Sequence, residues 1–385
     1  MDAPPAASTR RGRQRLRERL LDGFEGRTGL LRFWHLQRQH TVPAKLPWYY
    51  YLGSLLLLFA AIQVATGILL LLYYEPTPSA AHESVARIIS EVRFGWIVRS
   101  LHYWSSHAMV ATLLLHLARV FLTASFKRPR ELTWMLGVGL LLTVLGFAFT
   151  GYLLPWEQAA FWGTTVGSGI AGQAPWLGPF LKAMLRGGAQ VGGATLTRFF
   201  ALHVMLLPAA LLVLLAAHLA LVWKHGPSEP LARLAGTGAA RDRRVRFFPV
   251  QARKEAAVAC FVFAALLLWV AWRAAPLGDP ADPLRTPEHV KPEWYFLFSY
   301  QALKYIPSRA LPGGISTFQV AVLAQALPLL ALLLWPYLER SPERRWRRRR
   351  AALSLFFLAL LALLVLTYLG VYAGKTEPIF GIAVS

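Results

Sequence analysis

Cysteine and charged residues are scarce in this chain of 385 residues. The one cysteine, Cys260, can form no disulfide within the chain and cannot complete a Cys-x-x-Cys-His motif. Charged residues make up only 16% of the chain and hydrophobic residues 56%, a balance that excludes an ordinary soluble globule. The composition therefore predicts a membrane protein, and any cofactor that it holds is expected to bind without thioether bonds.

Long hydrophobic stretches are abundant, and a helix needs about 20 apolar residues to cross a bilayer. Seven stretches qualify, namely Trp48–Tyr73, Ile97–Phe121, Leu132–Leu153, Phe199–Trp223, Ala256–Trp272, Phe318–Tyr337 and Ala351–Tyr372. They lack the polar–apolar alternation of barrel strands, and only helices and closed barrels can span lipid. The sequence therefore predicts an all-α integral membrane protein, with a four-helix bundle followed by three transmembrane helices.

The formal net charge of +22 arises from basic residues that are concentrated in a few segments. These segments are Arg10–Arg19, Lys127–Arg130, Arg233–Arg253 and Arg340–Arg350. With a cytoplasmic N-terminus, all four lie on the cytoplasmic side, as the positive-inside rule requires, and the C-terminus lies outside. This distribution predicts a multi-pass protein of a bacterial-type inner membrane, and we expect no nucleic-acid partner.

The part of the chain before the first span is basic. Residues 1–46 carry scattered apolar residues and no secretory signal, which suits an amphipathic segment on the cytoplasmic surface.

Five histidines occur inside the predicted spans, where a polar ring without a partner is costly, and four of them recur at two depths. His102 and His116 are 14 residues apart, about four turns, so they share one helix face and lie roughly 21 Å apart. His203 and His218 are 15 residues apart, and a helix distortion at Pro208 can absorb the extra residue. Both helices run inward, so His102 pairs with His203 near the outer surface and His116 with His218 near the inner one.

Two histidine pairs at matching depths predict two haems, each with its iron ligated by two imidazoles. A bare metal site fits less well, because no carboxylate or thiolate accompanies the histidines. Hydrogen bonding between helices is the alternative. His107, rotated by roughly 140° from His102, faces elsewhere.

Glycines and arginines support the same two depths. Glycines 14 residues apart recur in two spans and leave room for a macrocycle, although close helix packing also favours glycine there. These glycines are Gly53 and Gly67 in the first span and Gly137 and Gly151 in the third. Arg99 and Arg119 can pair with the haem propionates or extend to the interface, and Arg198 is a weaker third candidate.

Five segments carry specific motifs, namely Phe94–His102, Lys127–Trp134, Gly151–Trp156, Thr197–His203 and Lys291–Phe296, the last of which contains Pro-Glu-Trp-Tyr. Together they resemble the cytochrome b of cytochrome bc complexes. The spacing of His203 and His218 and the three later spans resemble the plastid-type arrangement, with a cytochrome b6-like bundle fused to a subunit IV-like part. The resemblance implies a four-helix haem bundle over residues 47–227, a cytoplasmic linker over residues 228–245 and a three-helix quinol-site part over residues 246–385. Tyr51 stands where that subtype carries a thiol for an extra haem, and Trp223 stands where it carries an arginine.

The resemblance implies a subunit of a quinol:cytochrome c oxidoreductase that passes electrons through two b haems to quinone, coupled to proton translocation. It implies that Glu293 accepts a proton from quinol and that Tyr295 and Tyr152 line the pocket. A Rieske iron–sulfur protein and a c-type cytochrome are the implied partners, and a homodimer is the implied assembly. No covalent haem is expected.

Two other functions remain open at this point. A di-haem membrane anchor of a dehydrogenase or hydrogenase shares the histidine pairs but does not need the Pro-Glu-Trp-Tyr loop. A haem-free proton-coupled transporter uses buried histidines as a relay. For Glu293, the alternative is a surface carboxylate beside an interfacial belt of aromatic residues.

Overall fold

The computed structural model describes residues 22, 28, 39–228, 244–288 and 290–372. Most of the predicted amphipathic segment 1–46, most of the predicted linker 228–245 and the C-terminal residues after 372 lie outside these residues. Within the described part, seven helices are long and apolar enough to cross a membrane. They coincide with the seven predicted spans, so the prediction of an all-α membrane protein is confirmed.

The helices of the described chain follow one another in this order. They are α1 Leu52–Leu71, α2 Ala81–Ser90, α3 Gly95–Leu122, α4 Glu131–Leu153, α5 Gln158–Ala171, α6 Gly178–Arg186, α7 Gly193–Ala201, α8 Leu207–His225, α9 Ala252–Trp272, α10 Trp294–Lys304, α11 Thr317–Ala324, α12 Ala326–Leu338 and α13 Arg350–Tyr372. Helices α11 and α12 together form the sixth span, Thr317–Leu338. The short helices α2, α5, α6 and α10 lie in the connections between spans.

The bundle is built from two helix pairs, α1 with α3 and α4 with α8. Helix α12 packs against α4, and α10 packs against α13. Phe121 of α3 also contacts Trp335 of α12 and Phe356 of α13, so both α3 and α4 join the last spans to the bundle. Trp134 of α4 is buried in the contact with α12, and its indole Nε1 donates to the carbonyl oxygen of Leu332, 2.6 Å away. An indole N–H needs such a partner when it leaves water, which fixes where the two helices meet.

The fourth span is interrupted by a π turn, Leu202–Leu206, between α7 and α8. The amide of Leu207 donates to the carbonyl of Leu202, five residues back, so this turn holds one more residue than an α turn. Pro208 follows immediately and has no N–H to donate, which removes one ordinary helical hydrogen bond. The distortion lies just before Pro208 and accommodates the 15-residue spacing of His203 and His218.

The chain divides into two compact units. The described residues of the smaller unit are 22, 28, 39–47 and 244–262. In it, β1 Thr41–Pro43 pairs antiparallel with β2 Arg244–Arg246. The larger unit contains the other spans and all the candidate site residues described below.

Candidate functional site

The rings of His102 and His203 face each other across the bundle, with their centroids 6.3 Å apart. Helix α3 carries His102, and the π turn before α8 carries His203. A metal–imidazole nitrogen bond is about 2.0 Å long, so two such bonds plus two ring radii give roughly 6 Å. The separation therefore fits two imidazoles on opposite sides of one iron. We name this depth the His102 level.

Threonine hydroxyls fix the ring nitrogens at the His102 level. Thr66 Oγ1 donates its proton to the carbonyl of Ile62 at 2.6 Å and lies 2.9 Å from Nδ1 of His102. Because the hydroxyl proton is already used, Nδ1 carries the hydrogen and donates, and Nε2 is left with the lone pair that a metal needs. Thr150 Oγ1 lies 3.1 Å from Nδ1 of His203 and makes the same arrangement.

The second pair is His116 and His218. His116 lies about four helical turns after His102, at a depth that we name the His116 level. Nδ1 of His218 donates to the carbonyl of Thr133 at 3.0 Å, which again leaves Nε2 as the free acceptor. Nδ1 of His116 is buried and has no hydrogen-bond partner among the described residues. The two levels therefore differ in how their imidazoles are held.

Each glycine of α1 lies against a histidine of α3. A Cβ added at Gly67 would lie 3.4 Å from Cε1 of His102, and one added at Gly53 would lie 3.5 Å from Cε1 of His116. The almost identical distances show that the 14-residue spacing in one helix matches the 14-residue spacing in the other. Small residues here let the helix backbone approach the imidazole closely.

The glycines of α4 meet the other two histidines. A Cβ at Gly137 would lie 3.5 Å from Cε1 of His218, and one at Gly151 would lie only 2.6 Å from Cε1 of His203. A side chain at 151 would therefore displace the imidazole ring. Paired imidazoles with Nε2 available, bordered by four glycines, form a donor set that fits b-type haem.

The three candidate arginines have different surroundings. Arg99 donates to the carbonyls of Ala275 at 2.8 Å and Pro276 at 2.6 Å, in the connection after α9. The guanidinium of Arg119 lies 3.9 Å from the ring centroid of Tyr50, and its Nε is buried without a partner in the described chain. Arg198 donates to backbone carbonyls of α6. Arg119 is the one of the three with a buried donor still to be satisfied.

The predicted quinol-site residues surround the start of α10. Glu293 is partly buried just before this helix, and burial raises its pKa above the ordinary value, as does the negative charge of Glu157. Burial also raises the pKa of Tyr295, and the charge of Glu293 raises it further. Tyr152 lies close enough to interact electrostatically with Glu293 and Glu157. The structure thus brings all three predicted residues together at the start of α10, in what we name the Glu293 pocket.

Glu157, which directly precedes α5, is a further member of this pocket that the sequence reasoning missed. Its Oε2 accepts the N–H of Gly278 at 2.8 Å, and the two chain segments also meet at the bridge between Glu157 and Pro280. A carboxylate that directly follows the Gly-Tyr-Leu-Leu-Pro-Trp motif at the end of a span was the signal available. Its proximity to Glu293 depends on how two connections between spans pack against each other, which the sequence does not specify.

His107 is a second residue whose place the structure reveals. It lies off the face that carries His102, as the helical rotation predicts, and its Nδ1 accepts a hydrogen bond from Nε1 of Trp294 at 3.1 Å. Its ring lies 4.7 Å from that of Tyr103 and 6.0 Å from that of Tyr295. A histidine inside a span but off the ligand face was itself a signal.

Comparisons with known proteins agree with this geometry. Residues 37–226 match the family "Cytochrome b/b6/petB", and residues 280–383 match "Cytochrome b(C-terminal)/b6/petD". A relative from Chlorobaculum thiosulfatiphilum, "Cytochrome bc complex cytochrome b subunit", is 38% identical over 344 residues, which are 88% of this chain and 77% of the relative. A solved structure of "Hyperthermophilic respiratory Complex III" has a TM-score of 0.78 and 32% identity, covering 93% of this chain and 92% of that chain. The chain therefore belongs to the cytochrome b family of bc-type complexes, as its motifs predicted.

Proposed function

We propose that this cytochrome b oxidises quinol at the Glu293 end of the bundle and delivers electrons to quinone at the opposite end. The observation that supports the proposal best is the pairing of histidines at two depths, with His102 and His203 at a ring separation of 6.3 Å. The positive-inside rule places the Glu293 end outside and the opposite end toward the cytoplasm. The N-terminus is then cytoplasmic and the C-terminus outside.

The imidazoles of His102 and His203 would hold one haem b, and those of His116 and His218 would hold the other. Bound haem supplies a one-electron carrier at each level, so the bundle can conduct electrons across the membrane. Gly53, Gly67, Gly137 and Gly151 leave the space beside the imidazoles. Arg119, with its buried unpaired Nε, suits one haem propionate, and Arg99 is the proposed partner at the other level.

Glu293 is the proposed proton acceptor for quinol. A carboxylate whose pKa is raised by burial and by a neighbouring carboxylate is closer to the pKa that suits general base catalysis near neutral pH. Tyr295 and Tyr152 line the same pocket and can orient the quinol ring. Because quinol yields protons outside and quinone takes them up inside, the reaction is coupled to proton translocation.

The proposed partners are a Rieske iron–sulfur protein, which receives one electron of each quinol, and a c-type cytochrome beyond it. The proposed assembly is a homodimer of the complex. Residues 47–227 act as the haem bundle and residues 246–385 as the subunit IV-like part with the quinol loop.

A reduced-minus-oxidised absorption spectrum tests the proposal directly. The purified complex should show a b-type band that titrates in two potentiometric steps. His102→Ala or His203→Ala should remove one haem, and His116→Ala or His218→Ala the other, because each deletes one of two iron ligands.

His107→Ala is the matched control, because His107 lies in the same helix as His102 but contacts Trp294. It should retain both haems. A featureless spectrum of the unaltered protein would exclude the haem bundle, and loss of a haem in the control would reject the ligand assignment.

A further inference from the structure

The residue before each glycine that borders a histidine differs between the two levels. At the His102 level both glycines follow a threonine, in the pairs Thr66-Gly67 and Thr150-Gly151. Fourteen residues earlier, at the His116 level, both glycines follow a leucine, in the pairs Leu52-Gly53 and Leu136-Gly137. The spacing of the glycines is the same at both levels. The levels differ in the side chain before each glycine, which carries a hydroxyl at the His102 level and only hydrocarbon at the His116 level.

Thr66 and Leu52 occupy geometrically equivalent positions of α1. The distance from an added Cβ to Cε1 of the facing histidine is 3.4 Å at Gly67 and 3.5 Å at Gly53, and the distance to Nδ1 is 3.9 Å at both. The residue before each glycine therefore has the same relation to the imidazole in both cases. Thr66 is 6% exposed and Leu52 is also 6% exposed, so both side chains are inside the bundle.

The structure shows the consequence at α1 and α3. Thr66 Oγ1 accepts from Nδ1 of His102 at 2.9 Å, whereas Nδ1 of His116 is buried without a partner in the described chain. The amide Nε2 of Gln63 also donates to the carbonyl of His102 at 2.7 Å, which holds the backbone at this point. The imidazole of His102 is therefore oriented and polarised by an acceptor at Nδ1, whereas that of His116 has no such acceptor among the described residues.

The second helix pair shows a smaller difference in the same direction. His218 donates to the backbone carbonyl of Thr133 at 3.0 Å. The corresponding carbonyl 14 residues later, that of Phe147, lies within hydrogen-bonding reach of His203, and Thr150 Oγ1 adds a contact of 3.1 Å. A backbone carbonyl thus accepts from one histidine at each level. Among the described residues, a threonine hydroxyl contacts Nδ1 of a histidine at the His102 level only.

We propose that Thr66 and Thr150 are positioning residues that lower the reduction potential of the haem at the His102 level relative to the haem at the His116 level. This inference rests on the proposed function, because it requires a haem at each level. A hydrogen bond accepted from Nδ1–H withdraws that proton and makes Nε2 a stronger donor. When Nε2 donates its electron pair to the iron more strongly, the more positive, oxidised iron is stabilised, so the reduction potential of the haem falls.

The difference also has a functional direction. Electrons move spontaneously toward the centre of higher potential, which by this inference is the His116 level. The threonines therefore favour transfer away from the Glu293 pocket and toward the opposite end of the bundle. Electron transfer toward the cytoplasmic end moves negative charge against an opposing membrane potential, and a difference in reduction potential between the two levels favours this forward transfer.

The test is a potentiometric titration of the b-haem absorption in the assembled complex. Thr66→Val keeps the branched shape and removes the hydroxyl, so the lower-potential step should move upward while the other stays in place. One such hydrogen bond corresponds to roughly a tenfold change in the sharing of an electron between the two levels, or about 59 mV. Thr66→Ser retains the hydroxyl and should restore the original value.

Leu52→Thr is the reciprocal variant at the equivalent position of the His116 level. It should supply an acceptor to Nδ1 of His116 and move the higher-potential step downward. If Thr66→Val prevents assembly, Thr150→Val makes the same measurement at His203. In each case the haem content gives an independent check that both haems are bound.

Unmoved potentials in Thr66→Val and Leu52→Thr, with two haems bound, would overturn the inference and leave the proposed function intact. Equal shifts of both steps would also overturn it, since a general loosening of the bundle has no preferred level. Absence of b haem from the unaltered protein would instead overturn the proposed function.

Discussion

Two partly buried glutamates at opposite ends of the bundle show how neighbours decide the behaviour of a carboxylate. Burial raises the pKa of Glu293, and the negative charge of another carboxylate, Glu157, raises it further. Burial also acts to raise the pKa of Glu339, but hydrogen bonds from Arg349 and Lys127 outweigh it, and the pKa falls below the ordinary 4.5. Both glutamates are partly buried. The pKa of Glu293 is raised and that of Glu339 is lowered because their neighbouring charges have opposite signs.

The structure around Glu339 explains this difference. Lys127 Nζ lies 2.8 Å from Oε1 of Glu339, and Arg349 Nε lies 2.6 Å from the same oxygen. Arg349 also donates to the carbonyl of Phe121 at 3.1 Å, and Lys127 to the carbonyl of Ser341 at 2.6 Å. This cluster joins the end of α3 to the connection between α12 and α13. Glu339 is therefore an ionised structural group, whereas Glu293 is suited to exchange a proton.

Glu293→Gln should break the comparison at the end where we propose that quinol is oxidised. It keeps the shape of the side chain but cannot accept a proton, so quinol-dependent cytochrome c reduction should fall roughly 10²-fold to 10⁴-fold. Both b-haem spectra should stay unchanged, because the haem-level histidines are untouched. Turnover equal to that of the unaltered complex would return Glu293 to the role of a surface carboxylate.

Glu339→Ala should break the comparison at the other end, through stability. It leaves two buried cations without their partner, since the side chains of Lys127 and Arg349 are 6% and 1% exposed. Removing one partner of a buried pair costs about 3 kcal/mol in the free energy of unfolding, which a lowered melting temperature of the complex reports. Glu75→Ala is the matched control, because the Glu75–Arg87 pair is exposed and should contribute little.

The pH dependence of the same cluster has a definite sign. Because the pKa of Glu339 is lower in the folded protein than its ordinary 4.5, the ionised form is stabilised by folding. That stabilisation is present above pH 4.5 and is lost as the pH falls through the folded pKa. Thermal stability of the unaltered complex should decline in this range more steeply than that of Glu339→Ala. Equal declines would show that the ion pairs do not stabilise the fold.

Glu157→Gln should sharpen the comparison by removing the second carboxylate from the Glu293 pocket. Without that negative charge the ionised form of Glu293 is less costly, so its pKa should fall. The acidic limb of the pH–rate profile should therefore move to lower pH, by less than about one unit, because burial is the larger cause. An unmoved limb would show that Glu293 is not the group that titrates there.

The repeating features of the fold could be predicted because they follow from helical periodicity. Fourteen residues return a side chain to the same helix face after about four turns, so His102 and His116 could be placed on one face from spacing alone. The seven spans followed from hydropathy and length. The π turn at Leu202–Leu206 could be anticipated only as a distortion near Pro208, since the sequence does not specify where the extra residue is inserted.

The contacts of Glu157, His107 and the threonine hydroxyls were not predictable in the same way. Trp294 donates to His107 across 187 positions of sequence, and Arg99 donates to Ala275 across 176. Such contacts depend on how connections between spans fold back over the bundle, and no local pattern encodes that path. A threonine hydroxyl in any helix can donate to a carbonyl of its own helix, as Thr66 does. The sequence therefore does not predict that the same hydroxyl also contacts His102, and only the tertiary structure shows it.

The sequence by itself determined the seven spans, the family and the spacing of histidines and glycines, because these depend on local hydrophobicity and on helix geometry. Only the tertiary structure decided which imidazole nitrogen has an acceptor, which carboxylates share a pocket and which cations surround Glu339. Those properties depend on the distances between groups far apart in the chain, and burial in the bundle makes their electrostatic effects strong.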